Sequence, residues 1–306
     1  MRWASAAAIA VACASGCDMG QFTVNTTAKV LGRAQPAIKM EADYELAARA
    51  IPGSLKTVEG FWVVNPNNPK LTSILTEGYC QYGLAFVDDE WEVARFAGDF
   101  ERADYHSARA TKMYTRCLNY ALRTLGSRWQ KEIFADVDTV NKLLADTSSS
   151  QRTALMWATV ALGSMIQHNM ANPDMLSRVD QVSRMLDRVL AFDAKSLPSD
   201  RALAALPHIA KAQIYAGKGV SAGGDPKAAI AEFETAIQLT DGKYLLPRVM
   251  MAFKVGKQTQ DRAFFHKHIM QVLSTPPDIW PEQRLANEVA HRRARRYLAA
   301  EKELFP

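Results

Sequence analysis

From Glu41 to Pro306 no run of residues alternates apolar and polar as a half-buried strand does, whereas Ala-, Leu-, Arg-, Glu- and Met-rich segments recur at helical spacing. Proline and asparagine punctuate these segments. Pro52 suits a helix start, since its missing N–H has no partner to lose there, and Leu55, Val58 and Trp62 then share one face. Asn65-Pro66 stops that helix, because the residue before proline is pushed out of the α region. Asn68 can cap the next, with Pro69 in its first position and Leu71, Leu75, Tyr82 and Phe86 on its buried side. Similar signals open helices at "GDFERAD", "SSSQ", "NPDM", "LPSD" and "GGDP". The expectation is an all-α fold of about ten to twelve helices in one domain over residues 41–306. No Gly-, Pro- or Ser-rich stretch is long enough to divide it.

The first 17 residues carry a different signal. "MRWASAAAIAVACASGC" has an early arginine, a short apolar run and a small-residue exit, the pattern of a secretory signal, and the run is too short to span a bilayer. Cys17 after Ala-Ser-Gly resembles a bacterial lipobox, which makes Cys17 the expected lipidation site and the membrane anchor. Residues 18–40 lack a sustained period and are expected to form a flexible tether. The expected location is the periplasm, lipid-anchored to the cell envelope, with the choice of membrane open. Two cysteines then remain, Cys80 and Cys117. They could bridge in an oxidising space, but both fall on apolar helix faces, which favours free, buried thiols.

"GGDPKAAIAEFETAIQL" reads like one helix of a tetratricopeptide repeat, with Ala229, Phe233 and Ala236 as small and aromatic residues where two helices cross closely. Ala110, Tyr114 and Cys117 repeat that spacing, and Val182, Leu186 and Val189 repeat it in degenerate form. The central residues stand 72 and 47 positions apart, whereas a regular array keeps a period of about 34. Irregular tetratricopeptide-like hairpins are therefore expected.

Chemical motifs are absent: no glycine-rich phosphate loop, Cys-x-x-Cys, His-Glu-x-x-His or Gly-x-Ser-x-Gly occurs. His266 and His268 lie about 200° apart on a helix by the 3.6-residue period and cannot share one metal ion. The acidic "DDE" at Asp88–Glu90 and the basic "HRRARR" at His291–Arg296 both read as solvated helix ends. A formal charge of +5, spread along the chain, lacks the dense basic face of a nucleic-acid binder. The expectation is a protein with no catalytic residues, metal, cofactor or nucleic-acid partner.

Several stretches resemble, in order, the T-component lipoproteins of TRAP (tripartite ATP-independent periplasmic) transporters, the TatT family. "AIPGSLKTVEGFWVVNPNN" matches its first segment through Pro52, Leu55, Glu59, Pro66 and Asn68. "ALMWATVALGSMIQ" matches its tryptophan helix through Trp157, and "SRMLDRVLAFD" the next through Arg188 and Asp193. "GGDPKAAIAEFETAI" and the closing "LANEVAHRRARRYLAAEKELF" follow. The resemblance implies a periplasmic, non-catalytic homo-oligomer that docks the solute-binding P-component and binds or passes an organic ligand. An envelope lipoprotein adaptor, holding other proteins with its helical pairs, is the alternative reading.

Overall fold

A computed structural model describes residues 19–306 apart from 220 and 222. Among the described residues the fold is all-α, with no strand. Twelve of its helices have ten residues or more. The chain runs through α1 (Met19–Lys39), α2 (Tyr44–Val64), α3 (Pro69–Tyr82), a π-helical segment (Gly83–Val87), α4 (Asp88–Phe96) and α5 (Phe100–Leu125). It continues through α6 (Ser127–Glu132), α7 (Val137–Asp146), α8 (Arg152–His168), α9 (Pro173–Leu176), α10 (Val179–Asp193) and α11 (Arg201–Ala216). It ends with α12 (Pro226–Leu239), α13 (Leu246–Thr259), α14 (Arg262–Ser274), α15 (Arg284–Ala299) and α16 (Glu301–Leu304).

Three features depart from the sequence reading. The stretch read as a tether is the helix α1, whose Val24 and Ala28 are buried and whose Leu31 and Ile38 pack on the core. These four recur at i, i+4, i+7 and i+14 on one face, and that sparse stripe is hidden among polar neighbours. Secondly, Pro52 lies inside α2, which starts earlier, where the Asp43 carboxylate accepts from the Leu46 N–H at 3.0 Å. Ala47, Ile51, Leu55 and Val58 form one buried face across the proline, so packing outweighs the lost backbone bond. Thirdly, Cys80 and Cys117 are a disulfide, with Cα atoms 5.3 Å apart. Free thiols were the expectation. The crossing of α3 and α5, which no linear pattern displays, brings the two apolar faces together within bridging range.

The core falls into three clusters. The largest fills the space between α1 and α8 and takes in α10, with Leu71, Leu75, Tyr114, Leu155 and Met185 buried. A second joins α11, α12 and α13. Here Ala229, Phe233 and Ala236 are wholly buried, facing Ala205 and Ala212 of α11, so the small–aromatic–small triplet packs one helical pair. The third joins α13, α14 and α15 around Phe265 and Tyr297. Gly256 permits the close passage of α13 and α14, since a Cβ there would stand 2.9 Å from the Phe265 Cβ. Paired helices of this kind are compatible with tetratricopeptide-like hairpins, and their unequal lengths fit the irregular spacing of the triplets.

Asn68 caps α3 as its sequence position suggests. Its Oδ1 accepts from Lys70 and Leu71 at 3.0 and 3.1 Å, and its Nδ2 donates to Asn25 of α1 at 2.7 Å. Asn68→Ala is expected to cost about 1 kcal/mol from the lost cap. A urea titration measures it, and an unchanged midpoint would mean that water replaces the cap.

Candidate functional site

The helices surround a cavity of about 400 Å³ that is partly open to solvent and within the size range of small-molecule sites. Its walls come from α1, α2, α3, the π segment, α4, α8, α10, α11, α13 and α15. They are largely apolar: Leu55 and Val58 on α2, Trp157 on α8, Leu206 on α11, Met250 on α13 and Val289 on α15 all face it. Amphipathic helices produce such a wall when no side chain is long enough to fill the space their crossing leaves.

The charged residues of that wall fall into two groups. In one, Lys39 of α1 reaches Glu77 of α3 at 2.8 Å and Asp200, the N-cap of α11, at 3.7 Å. Lys39 and Asp200 are partly exposed, so this group lies toward solvent. In the other, deeper group, Asp88 and Glu92 of α4 meet Lys254 of α13 and Arg293 and Tyr297 of α15. Glu92 accepts from Tyr297 at 2.9 Å and pairs with Arg296. Asp88 accepts from the Tyr114 hydroxyl at 2.7 Å and lies 2.9 Å from the His168 Nε2. Behind this wall, wholly buried Asp89 meets Arg292 Nε at 2.6 Å and the Tyr44 hydroxyl at 3.1 Å. Arg296 Nη1 lies 2.7 Å from its other oxygen, an ion contact without hydrogen-bond alignment. Burial raises the Asp89 carboxyl, but the three arginines around it hold it below the ordinary carboxylate value.

The π-helical turn contributes to this cluster. Where its hydrogen-bond ladder widens, the Leu84 carbonyl accepts from Arg293 at 2.7 Å and the Ala85 carbonyl from Tyr44 at 3.3 Å. Gly83 opens the turn because Tyr114 leaves no room: a Cβ would stand 2.8 Å from its ring.

Both charge runs that read as solvated ends are therefore corrected. Asp89 of "DDE" pairs with Arg292 and Arg296 of "HRRARR" across some two hundred residues, and Asp88, His291 and Arg293 are buried, while Glu90 pairs with Arg102 and Arg295 stays exposed. Neither run alone signals this, because its counter-ions lie on a distant helix. Lys254 was also missed. Its visible signal was a lysine set among Met250, Met251, Phe253 and Val255.

The residues singled out by their motif are distributed as follows. Leu55 and Trp157 reach the cavity wall. Both disulfide sulfurs lie against the Trp157 carbonyl, at 3.7 and 3.8 Å. Glu59 faces away, toward Lys56 and the Tyr120 hydroxyl; burial raises its carboxyl, but these donors hold it below the ordinary value. Pro66 and Asn68 form the α2–α3 turn. Ala229, Phe233 and Ala236 belong to the second core cluster, away from the cavity. Asn287, in the closing motif, is wholly buried and joins three segments, accepting from Leu245 N–H and donating to the Lys243 and Pro277 carbonyls, each at 3.0 Å. Cys17 lies outside the described residues.

Comparison with known families matches residues 40–305 to the TRAP transporter T-component family. The chain belongs to that family. The match takes in every helix that walls the cavity from α2 onward. The T-component is also similar to an uncharacterized protein of Treponema pallidum (strain Nichols), 25% identical over 272 residues, 87% of this chain and 81% of the relative. This T-component is thus a part of a TRAP transport system, an accessory to transport, and its all-α cavity is the candidate site of that role.

Proposed function

We propose that this T-component is a non-catalytic envelope lipoprotein that docks the solute-binding protein of its transporter and holds or passes an organic ligand in the cavity. The observation that carries the ligand role is the largely apolar cavity, most of whose wall lies in the family-matched region. The ligand would leave water for an apolar wall, which gives the binding free energy, while a few polar groups orient it. The Cys80–Cys117 bridge supports an oxidising compartment, and so export. No helix among the described residues is long and apolar enough to cross a membrane, so attachment would rest on lipid at Cys17. A homo-oligomer is part of the same proposal.

The docking claim has a direct test. The tagged protein, extracted from its own envelope in mild detergent, should co-purify with the solute-binding protein encoded beside it. Recovery of outer-membrane or cell-wall assembly proteins instead would favour the adaptor reading and sink this one. Labelling with a radioactive fatty acid, lost in Cys17→Ser, checks the anchor.

A further inference from the structure

The deep polar group of the cavity, with the cluster behind it, holds three carboxylates, Asp88 and Glu92 on the wall and Asp89 behind it, and four cations, Lys254 and Arg293 on the wall and Arg292 and Arg296 behind it. The carboxylates are committed. Asp88 accepts from Tyr114 and faces His168. Asp89 serves Arg292, Arg296 and Tyr44. Glu92 serves Arg296 and Tyr297, with Arg293 Nε 3.8 Å away. Arg292 has a further, outer partner in exposed Glu45 at 3.7 Å. Lys254 is left over. Among the described residues its ammonium has no carboxylate or carbonyl within bonding distance, and it lies 6.0 Å from the Phe253 ring centre.

Lys254 is half-buried and lines the cavity. Burial and the neighbouring Arg293 and Lys257 disfavour its charged form, against the pull of Glu92 and Asp88. A cation in that position gains most from an anion that arrives with the ligand, since the low-dielectric wall strengthens the pairing.

We infer that the cavity takes an amphiphilic carboxylate, with its apolar body along the Leu55–Trp157–Leu206 wall and its carboxylate on the Lys254 ammonium. This rests on the ligand-holding role proposed above and names the class of ligand. A free fatty acid has this chemistry; a neutral lipid or alcohol does not. The Lys39 group offers no second site, because Glu77 and Asp200 already surround its one ammonium.

The experiment is calorimetric titration of the purified protein with decanoate and with decanol at neutral pH. The wild type should prefer decanoate by roughly ten- to a hundredfold, the scale of one buried charge-assisted hydrogen bond. Lys254→Met should erase the preference and leave decanol binding in place. Lys254→Arg should keep much of it, and Lys257→Met, one turn on and exposed, should keep all of it. Equal affinity for acid and alcohol in the wild type, or a preference that survives Lys254→Met, would overturn the head-group assignment while leaving a ligand cavity. Failure of both probes to bind would overturn the ligand-holding role and the head-group assignment with it. Lys254→Met should fold, because it replaces a half-buried cation that has no bonded anion among the described residues with an apolar side chain. Its circular dichroism and melting profile verify that before the titration is read.

Discussion

Asp89→Ala is expected to lower unfolding stability by about 3–5 kcal/mol, because it strips a buried arginine cluster of its shared carboxylate. Asp89 is wholly buried and binds Arg292 and Arg296 of α15 and Tyr44 of α2. Its removal loses one of the ties between α4 and α15, leaving Glu92 as the other, and leaves two guanidiniums with fewer counter-charges. At roughly 2–4 °C per kcal/mol for a chain of this size class, the melting temperature should fall by on the order of 10 °C. The pH dependence follows from the direction of the shift. The Asp89 carboxyl is held below its ordinary value in the folded protein, so its stabilisation is fully present above the unfolded value of about 4 and is lost as pH falls through the folded one. Urea unfolding of the wild type should therefore weaken on acidification below that value. Asp89→Asn should be destabilised at neutral pH and lose part of that acid slope. Glu59 and Glu301, also held low, keep the remainder. Parallel acid slopes in wild type and Asp89→Asn would show that Asp89 carries no such linkage.

This cluster also marks the boundary of what the sequence shows. Local rules were enough for the helices: Asn68, Asp99 and Asp225 cap where a short polar side chain precedes an apolar period, and each accepts from the first-turn N–H groups. They were enough, too, for the buried Ala229–Phe233–Ala236 face, because spacing alone sets which residues share a side of a helix. They failed wherever a residue's state depends on a partner far along the chain. "DDE" and "HRRARR" look hydrated until α4 and α15 cross, and Cys80 and Cys117 look free until α3 meets α5. The cavity was out of reach for the same reason: Leu55 on its wall and Leu71 in the core have the same local signature. Only the tertiary crossing decides which apolar stripe is left facing a space.

The pair Arg152–Asp193 should show an effect of similar size at a second joint. Arg152 opens α8 and Asp193 closes α10, and the two meet side-on, with Nε 2.8 Å from Oδ1 and Nη2 2.5 Å from Oδ2. Each charge stands at the helix end its dipole disfavours, a cation at an N-terminus and an anion at a C-terminus, so the helices themselves do not hold it there. Both side chains are buried, at 7% and 4% exposure. Arg152 also donates to the Leu203 carbonyl of α11 at 3.3 Å, which links the first core cluster to the helix that begins the second. Asp193→Ala leaves that guanidinium buried without an anion and is expected to cost about 3–5 kcal/mol. The double variant Arg152→Met/Asp193→Leu removes both desolvation penalties and should recover most of the loss. Urea unfolding of the two single variants and the double variant closes a mutant cycle, whose coupling term isolates the pair. A cost below about 1 kcal/mol for Asp193→Ala, in the range of exposed pairs, would mean that Arg152 turns out to water and that apolar packing alone joins α10 to α11.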